Sequence, residues 1–167
     1  KQDIKAGLSW YKDANKQAVN IAKKYNLDVY KVSQVISALS PRNKWKQNLK
    51  DAEKLCEAFI LGLHPVDIKV CTFHTNKFKA FNILANNINI TNNSLKTFNF
   101  VNNIAYLNND FLTIDIWHLR ACFKDKININ SASIGKTAYQ QIKSLTIKKA
   151  NKLNLNGFQF QAIIWIT

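Results

Sequence analysis

Apolar residues recur along most of the chain at spacings of three and four, which is the period of one face of an α-helix. The first stripe of this kind comprises Ile4, Leu8, Tyr11, Ala14, Ala18, Ile21 and Tyr25. Asp28 then predicts the N-cap of a short helix whose inner face carries Val29, Val32, Val35, Ile36 and Leu39. No segment alternates apolar and polar residues for more than a few positions, so we expect no strands.

The remaining elements follow from the same pattern. Ser40 and Pro41 predict the end of the second helix and the start of a third, because Ser caps helices and Pro suits their first turn. The third helix is expected to end near Gly62 and to bury Trp45, Leu49, Ala52, Leu55, Cys56 and Phe59. An irregular connector at 64–74 precedes helices predicted near 75–86, 95–107, 115–124, 133–141, 147–153 and 157–165. With no internal repeat and no linker, we predict one all-α domain over residues 1–167.

Composition excludes several classes of protein. Gly 4 and Pro 2 are low counts, which disfavours β-sandwiches and glycine-rich phosphate-binding folds. No apolar run approaches the roughly 20 residues that span a bilayer, and residues 1–5 lead into an amphipathic helix rather than a signal peptide. Without a CxxC pair, we expect no disulfide, no zinc site and a reducing cytoplasm, bacterial or phage-infected. We expect all three cysteines in the core, namely Cys56, Cys71 and Cys122.

Charge is the strongest compositional signal. Lys+Arg 24 against Asp+Glu 10 gives a formal net charge of +14, and Arg42 and Arg120 are the only arginines. Lysine binds phosphate as a point charge without bidentate base contacts, so the excess predicts a sequence-tolerant polyanion such as nucleic acid. An AT-rich genome would explain the abundance of Lys, Asn and Ile, but not the shortage of acids.

Two familiar kinds of motif fail. The Gly-Lys-Thr run at residues 135–137 suggests a P-loop, but Asn130 stands where that motif needs its first glycine. No predicted strand precedes the run either, so we expect Lys136 at a solvated helix start. The histidines match no metal-ligand spacing, and we expect surface or capping roles for His64, His74 and His118.

One constellation points to chemistry. A polar stretch at residues 86–94 separates two predicted helices, and Lys96 lies in the first turn of the second. A turn of this kind exposes backbone N–H groups that can hold a phosphate. Nineteen residues after Lys96, Asp115 stands at the start of the next predicted helix, where its carboxylate faces the positive end of the helix dipole.

In these residues the chain resembles the helix-hairpin-helix DNA glycosylase superfamily, the group of endonuclease III and oxoguanine glycosylase. The family hairpin reads L-P-G-x-G-x-K-T, and Ile90, Lys96 and Thr97 match it. Asn92 and Ser94 replace its two glycines. Asparagine tolerates a left-handed backbone, so we expect the turn to survive, with Ser94 the less comfortable of the two.

The second motif of the family, V-D-T-H-x-x-R, carries its aspartate. Ile114, Asp115 and Arg120 match this motif, while His118 follows the aspartate by three residues rather than two. A looser resemblance is to small phage and bacterial members of the superfamily. These carry S-P-R-x-x-W-x-x-N and end in Q-A-x-x-W, matched here by Ser40, Pro41, Arg42, Trp45, Asn48, Gln161, Ala162 and Trp165.

The resemblance implies a two-lobed helical bundle with a helix-hairpin-helix element, acting as a monomer on double-stranded DNA. It implies cleavage of a base N-glycosidic bond, with Lys96 and Asp115 as the catalytic residues. DNA contacts are expected from Arg42, Lys44, Asn92, Ser94, Thr97 and Arg120. The base pocket or wedge is expected to include Ser40, Trp45, Asn48 and Trp117. No metal, cofactor or iron–sulfur cluster is expected, because no suitable cysteine set follows.

Alternatives remain open at this stage. Asp115 would also serve as a simple N-cap, Lys96 as a phosphate contact, and Trp45 as a core residue. The chain would then be an inactive DNA-binding or host-interaction protein on the same scaffold. A nuclease or another nucleotide-modifying enzyme is the second rival. The target base is not readable, and a modified pyrimidine is one candidate because some phage members are implicated in modified-thymine chemistry.

Overall fold

The computed structural model describes residues 2–123 and 134–166, and within them it contains helices and no strand. The predicted all-α class is therefore confirmed for this part of the chain. Two 3-10 turns lie at Pro65–Asp67 and Asn92–Ser94. The eight α-helices are α1 Gln2–Tyr25, α2 Val29–Leu39, α3 Trp45–Ile60, α4 His74–Ala85, α5 Leu95–Tyr106, α6 Ile116–Phe123, α7 Lys136–Lys152 and α8 Gly157–Ile166.

Two predicted helix boundaries are confirmed. The Asp28 side chain accepts a hydrogen bond from the Lys31 N–H at 3.0 Å, as an N-cap does. Gly62, with φ +67°, follows the end of α3, and its N–H bonds the Phe59 carbonyl. A left-handed glycine in this place ends a helix at little cost.

Two other boundaries differ from the predictions. Ser40 is the C-cap of α2, but α3 begins at Trp45 instead of Pro41, because residues 40–43 form a turn with Arg42 in the left-handed region. The two helices predicted at 133–141 and 147–153 are wrong. From Lys136 onward they are one helix, α7, and residue 133 lies outside the described residues. No Gly or Pro interrupts residues 142–146, so nothing in that stretch breaks the helix.

The main hydrophobic core joins α1, α2, α3, α4, α5 and α8. Helix α2 lies at its centre, and residues 32–39 are all buried. Helix α8 packs closely against α1 at Gly7, where an added Cβ would lie only 2.6 Å from the Ile163 Cα. The two terminal helices are therefore neighbours, and their close approach depends on the missing side chain of Gly7.

A second, smaller hydrophobic cluster lies where α5 begins, where residues 112–114 precede α6, and along α7. Its buried members are Leu112, Ile114, Leu119 and Tyr139, with Leu95, Phe123, Ile134 and Ile142 packed against them. Lys96 and Asp115, the two residues predicted to be catalytic, each directly follow one residue of this cluster in the chain.

Three further observations bear on the expectations from composition. None of the described helices has the length and hydrophobicity needed to cross a membrane. Within residues 2–123 and 134–166, no cluster of three or more His, Cys, Asp or Glu side chains could bind a metal ion. Cys56 is buried, but the prediction that all three cysteines lie in the core is wrong, because Cys71 and Cys122 are exposed.

Candidate functional site

Lys96 lines a cavity of about 440 Å³ at the start of α5. The cavity lies between the turn that precedes α5 and the start of α7, and Lys96 is exposed. Lys136, the first residue of α7, brings a second exposed lysine to the same cavity. Its wall is formed by Asn92, Asn93, Ser94, Leu95, Lys96, Thr97, Ile134, Lys136 and Tyr139.

The electrostatics of this cavity favour an anion. Helices α5 and α7 both begin here, and helix N-termini carry partial positive charge. Neither N-cap residue, Ser94 or Gly135, accepts a hydrogen bond from its helix through a side chain. The first-turn N–H groups are therefore left to solvent or to a bound anion. The solvated helix start predicted for Lys136 is confirmed.

The turn before α5 forms without the glycines of the family hairpin. Residues 92–94 adopt a 3-10 turn closed by the Ser94 N–H on the Thr91 carbonyl at 3.1 Å. Asn92 and Ser94 are not among the described residues with positive φ. A turn therefore forms here without a left-handed Asn92, because the 3-10 geometry reverses the chain without that conformation.

Asp115 immediately precedes α6 and is half-buried. Its Oδ1 accepts a hydrogen bond from the His118 N–H at 2.9 Å, which is the contact of an N-cap. The same oxygen accepts a second hydrogen bond from the Trp165 Nε1–H at 3.1 Å. The second donor comes from α8, fifty residues further along the chain. Asp115 therefore does more than cap α6.

The segment before Asp115 has no regular secondary structure, and polar side chains bind its backbone. The Asn99 Oδ1 accepts from the Leu112 N–H at 3.1 Å, and the Asn103 Nδ2 donates to the Phe111 carbonyl at 2.8 Å. The Gln161 Oε1 accepts from the Thr113 N–H at 3.2 Å. Because buried backbone groups need such partners, these contacts fix the approach to Asp115.

Tyr139 joins the Lys96 cavity to this segment. It lines the cavity, and its hydroxyl donates to the Leu112 carbonyl at 2.7 Å and accepts from the Ile114 N–H at 3.1 Å. Burial raises the pKa of Tyr139, and the nearby Asp115 charge raises it further, so the hydroxyl keeps its proton and can donate. Tyr139 therefore forms part of the wall of the Lys96 cavity and also bonds Ile114, the residue before Asp115.

Trp45 belongs to a cluster of aromatic rings that extends to Asp115. Its ring centroid lies 4.8 Å from that of Trp10, which lies 5.5 Å from that of Trp165, the residue bonded to Asp115. These three tryptophans are half-buried, so each keeps part of its surface open to solvent. Asn48 is buried, and its Nδ2 donates to the Ile36 carbonyl at 3.0 Å. A place for Asn48 in a base pocket stays a prediction.

Arg42 lies on an exposed turn beside an exposed aromatic ring. Its φ is +57°, and its guanidinium carbon lies 5.7 Å from the ring centroid of Phe73. Lys44, at the N-cap of α3, is also exposed. Ser40 is half-buried, and its hydroxyl donates to the Ser37 carbonyl at 2.9 Å. Ser40 therefore closes α2, and its place in the base pocket stays a prediction.

The buried carboxylate of Asp51 holds this turn. Its Oδ2 accepts from the Asn43 Nδ2 at 3.0 Å and from the Cys71 N–H at 2.9 Å, and its Oδ1 accepts from the Gln47 Nε2 at 2.9 Å. Asp51 is 0% exposed. Burying an isolated carboxylate is costly in free energy, and the three hydrogen bonds offset this cost. Asp51 therefore holds the turn at Asn43 and the loop at Cys71 firmly in place.

The two remaining residues predicted to meet DNA lie together on α6. Trp117 is 61% exposed, and the Arg120 guanidinium carbon lies 4.9 Å from its ring centroid. Trp117 lies two residues after Asp115, in the first turn of α6, and Arg120 lies in the last turn. An exposed tryptophan stacked with arginine offers both an aromatic face and a cation to a nucleic acid.

His118 does not lie at the surface, so the role expected for it is wrong. It is 0% exposed, and its Nε2 lies 3.0 Å from the Thr146 Oγ1 of α7. Its Nδ1 has no hydrogen-bond partner among the described residues. His64, by contrast, accepts from the Val66 N–H and caps a 3-10 turn as expected.

We expect the stability of the protein to fall in mildly acidic solution because of His118. Burial lowers the pKa of His118, against the opposing effect of Asp115, so the folded state binds its proton less readily than the unfolded chain. Stability is then retained above the unfolded-state pKa of about 6.5 and falls as the pH drops below that value.

Chemical denaturation of His118→Gln between pH 7.5 and pH 5.5 measures this effect. We expect the free energy of unfolding to change with pH with roughly half of the wild-type slope or less. The control is His74→Gln, because His74 is exposed and its replacement should keep the slope. An unchanged slope in His118→Gln would contradict the prediction.

Five residues that hold Asp115 or the segment before it are not among the site residues predicted from sequence, namely Asn99, Asn103, Tyr139, Gln161 and Trp165. Gln161 and Trp165 belong to the Q-A-x-x-W motif, which is their signal in the sequence. Asn99, Asn103 and Tyr139 carry no local signal for this role, because their partners at Phe111 and Leu112 lie between 8 and 27 residues away.

A family model described as a family of unknown function matches residues 1–167. The chain belongs to this family, DUF7178. Comparison of this DUF7178 chain with curated proteins and with solved structures gives no match. The functional argument therefore depends on the site itself and on the resemblance given by its motifs.

Proposed function

We propose that this chain is a DNA glycosylase that cleaves the N-glycosidic bond of a base in double-stranded DNA. In this proposal, α4, the segment at 86–94 and α5 form the hairpin element, and the two hydrophobic clusters correspond to two lobes. The observation that carries the proposal is the meeting of Leu95 and Ile114 in one hydrophobic cluster. These residues directly precede Lys96 and Asp115, so both charged residues adjoin the same cluster in the chain, Lys96 in the wall of the cavity and Asp115 outside that wall.

The charge distribution supports DNA as the partner. The chain carries a net charge of +14, and the Lys96 cavity combines two lysines with two helix N-termini. In the proposal, a backbone phosphate lies in this cavity against the N–H groups of residues 95–97. Thr97 and Asn92 line the same cavity and offer polar contacts to that phosphate.

A glycosylase must also take its target base out of the stack, which costs a few kcal/mol. The Arg42 and Phe73 pair supports this step, because Phe73 is 54% exposed and Asp51 holds the turns on both sides. We assign to this pair the filling of the space left in the duplex. The everted base would then meet the solvent-exposed surface of the aromatic cluster near Trp45.

In the proposed reaction, the Asp115 carboxylate and the Lys96 amine have separate roles. The bond between C1′ and the base nitrogen breaks, and the electron pair leaves with the base, which takes a proton. The Asp115 carboxylate faces the oxocarbenium-like sugar and stabilises its positive charge. Either water or the Lys96 amine then bonds to C1′. Attack by water yields an abasic site, and the proton that the water loses balances the one taken by the base. Attack by Lys96 forms a C1′–N bond with loss of an amine proton, and the C1′–O4′ bond then breaks to give a Schiff base, from which β-elimination of the 3′-phosphate cleaves the strand.

The test uses the full chain in a chelator with short duplexes that each carry one uracil, 5-hydroxymethyluracil, thymine glycol or 8-oxoguanine. We expect free base from at least one duplex, measured by mass spectrometry, because the proposed reaction needs no metal. If none of these duplexes loses a base, the proposal is rejected. Strand cleavage that needs a divalent metal and releases no base would identify a nuclease instead.

Borohydride trapping decides the role of Lys96. A covalent adduct with abasic DNA that disappears in Lys96→Gln would establish the lyase step, and no adduct on any duplex would exclude it. An amine nucleophile is usually activated by burial or by a neighbouring cation. The exposure of Lys96 therefore favours attack by water. Lys136 in the same cavity provides a neighbouring cation, which favours attack by Lys96 instead.

A further inference from the structure

Helix α8 reaches the segment before α6 through two side chains on one face. Gln161 and Trp165 are four residues apart, so they lie one above the other on the helix. The Gln161 Oε1 accepts from the Thr113 N–H at 3.2 Å, and the Trp165 Nε1–H donates to the Asp115 Oδ1 at 3.1 Å. We name these two residues the α8 clamp. They bind positions two residues apart, Thr113 and Asp115, in the segment that precedes α6.

The bond from Trp165 is not needed to cap α6. The His118 N–H at 2.9 Å already gives Asp115 the contact that an N-cap makes. Trp165 is half-buried, so its indole N–H would otherwise be free to meet water. Both hydrogen bonds use Oδ1, which turns the other oxygen, Oδ2, away from the two donors. A half-buried aspartate held in this way keeps one oxygen for a reacting partner.

The orientation of the α8 clamp is set by packing. An added Cβ on Gly7 would lie 2.6 Å from the Ile163 Cα, so α8 lies as close to α1 as a glycine allows. The Trp165 ring lies edge-on to Trp10, with 5.5 Å between centroids, and 6.4 Å from Phe100. The clamp is therefore anchored on the main core and acts on a residue beside the second cluster.

We propose that Gln161 and Trp165 are positioning residues that hold the Asp115 carboxylate with Oδ2 toward the substrate sugar. This inference rests on the proposed function, because it assigns Asp115 a reacting partner. It gives α8 a part in catalysis without any contact between that helix and DNA. A carboxylate that must face one carbon atom gains most from such a fixed orientation.

The first test needs no activity. The chain contains four tryptophans, and Trp165→Phe identifies the Trp165 indole N–H signal in a ¹H–¹⁵N spectrum by its loss. In Asp115→Ala we expect this signal to move upfield, because its charged acceptor is removed. If the signal does not move, the hydrogen bond is not made in solution and the inference is overturned, whatever the activity of the protein.

The second test uses single-turnover base release from whichever duplex proves active. We expect Trp165→Phe to slow release roughly tenfold with unchanged DNA affinity, because it keeps an aromatic ring and removes a charge-assisted hydrogen bond. In the Asp115→Asn background the same change should cost nothing further. An equal slowing in both backgrounds would overturn the inference, because Trp165 would then act independently of the carboxylate.

The matched control is Phe158→Leu, also on α8. The Phe158 ring packs against Tyr11, with 5.7 Å between centroids, and bonds neither Thr113 nor Asp115. We expect a lower melting temperature with little change in the rate of base release. If Phe158→Leu slows release as much as Trp165→Phe at equal loss of stability, the effect is merely structural and the inference fails. If the wild type releases no base, the proposed function fails, and the indole signal alone decides whether the clamp exists.

Discussion

Asp115→Asn is expected to slow base release by at least about 100-fold, the usual lower limit for a residue that acts on the charge or proton of a transition state. Asparagine has nearly the shape of aspartate, and it is an equally good N-cap residue. Its Oδ1 can still accept from His118 and Trp165, so the backbone of α6 should not move. What the variant loses is the negative charge beside the sugar.

Binding and stability separate an enzyme from an inactive DNA-binding protein in this experiment. We expect Asp115→Asn to bind duplex DNA as tightly as the wild type, measured by fluorescence anisotropy, and to melt at nearly the same temperature. Asp110→Asn is the control, because Asp110 is exposed and lies outside the hydrogen bonds described here around Asp115. Unchanged base release in Asp115→Asn would show that another group carries the chemistry.

The helical elements could be predicted from sequence because their signals are local. The period of the apolar residues, Asp28 before α2 and Gly62 after α3 are all read within one or two turns of chain. The error at α7 has the same origin. The inner face of α7 carries Tyr139, Ile142, Thr146 and Ala150 at helical spacing, but Thr146 is polar and bonds His118, so the stripe of apolar residues is interrupted there.

The environment of the site could be predicted only in part. The motifs pointed to Lys96 and Asp115, but their shared neighbourhood depends on Leu95, Ile114 and Tyr139 meeting in one cluster. Such a meeting joins positions that are far apart in the chain, and no local pattern encodes it. The hydrogen bond between residues 113 and 161 is of the same kind.

Composition also gives no sign that two charged side chains, Lys77 and Asp51, are buried. In a chain with net charge +14, each lysine is expected in water, yet Lys77 is only 3% exposed and its Nζ donates to the Ile68 carbonyl at 2.9 Å. Asp51 is buried in the same way on α3. Both residues hold the loops around Arg42 and Phe73, and a helical period alone gives no sign of either role.

Asp51 is therefore expected to have the largest effect of any residue on the stability of the Arg42 turn. Asp51→Ala should lower the free energy of unfolding by about 3 kcal/mol, because three donors lose their acceptor and each costs about 1 kcal/mol or more when unsatisfied. That loss corresponds to a melting temperature lower by roughly 6–12 °C for a chain of this size. Differential scanning calorimetry measures it directly.

Asp51→Asn extends the test to function, in case Asp51→Ala does not fold. It keeps one acceptor oxygen, so the loss of stability should be smaller, but the turn that carries Arg42 is loosened and we expect weaker binding to duplex DNA. Glu53→Ala is the matched control, because Glu53 lies two residues away in an exposed ion pair with Lys24. Such pairs contribute little to stability, so we expect this variant to have the melting temperature of the wild type. A melting temperature of Asp51→Ala within about 2 °C of the wild type would mean that the carboxylate does not hold the two loops. The Arg42 turn would then lack the rigidity that a wedge in the duplex requires.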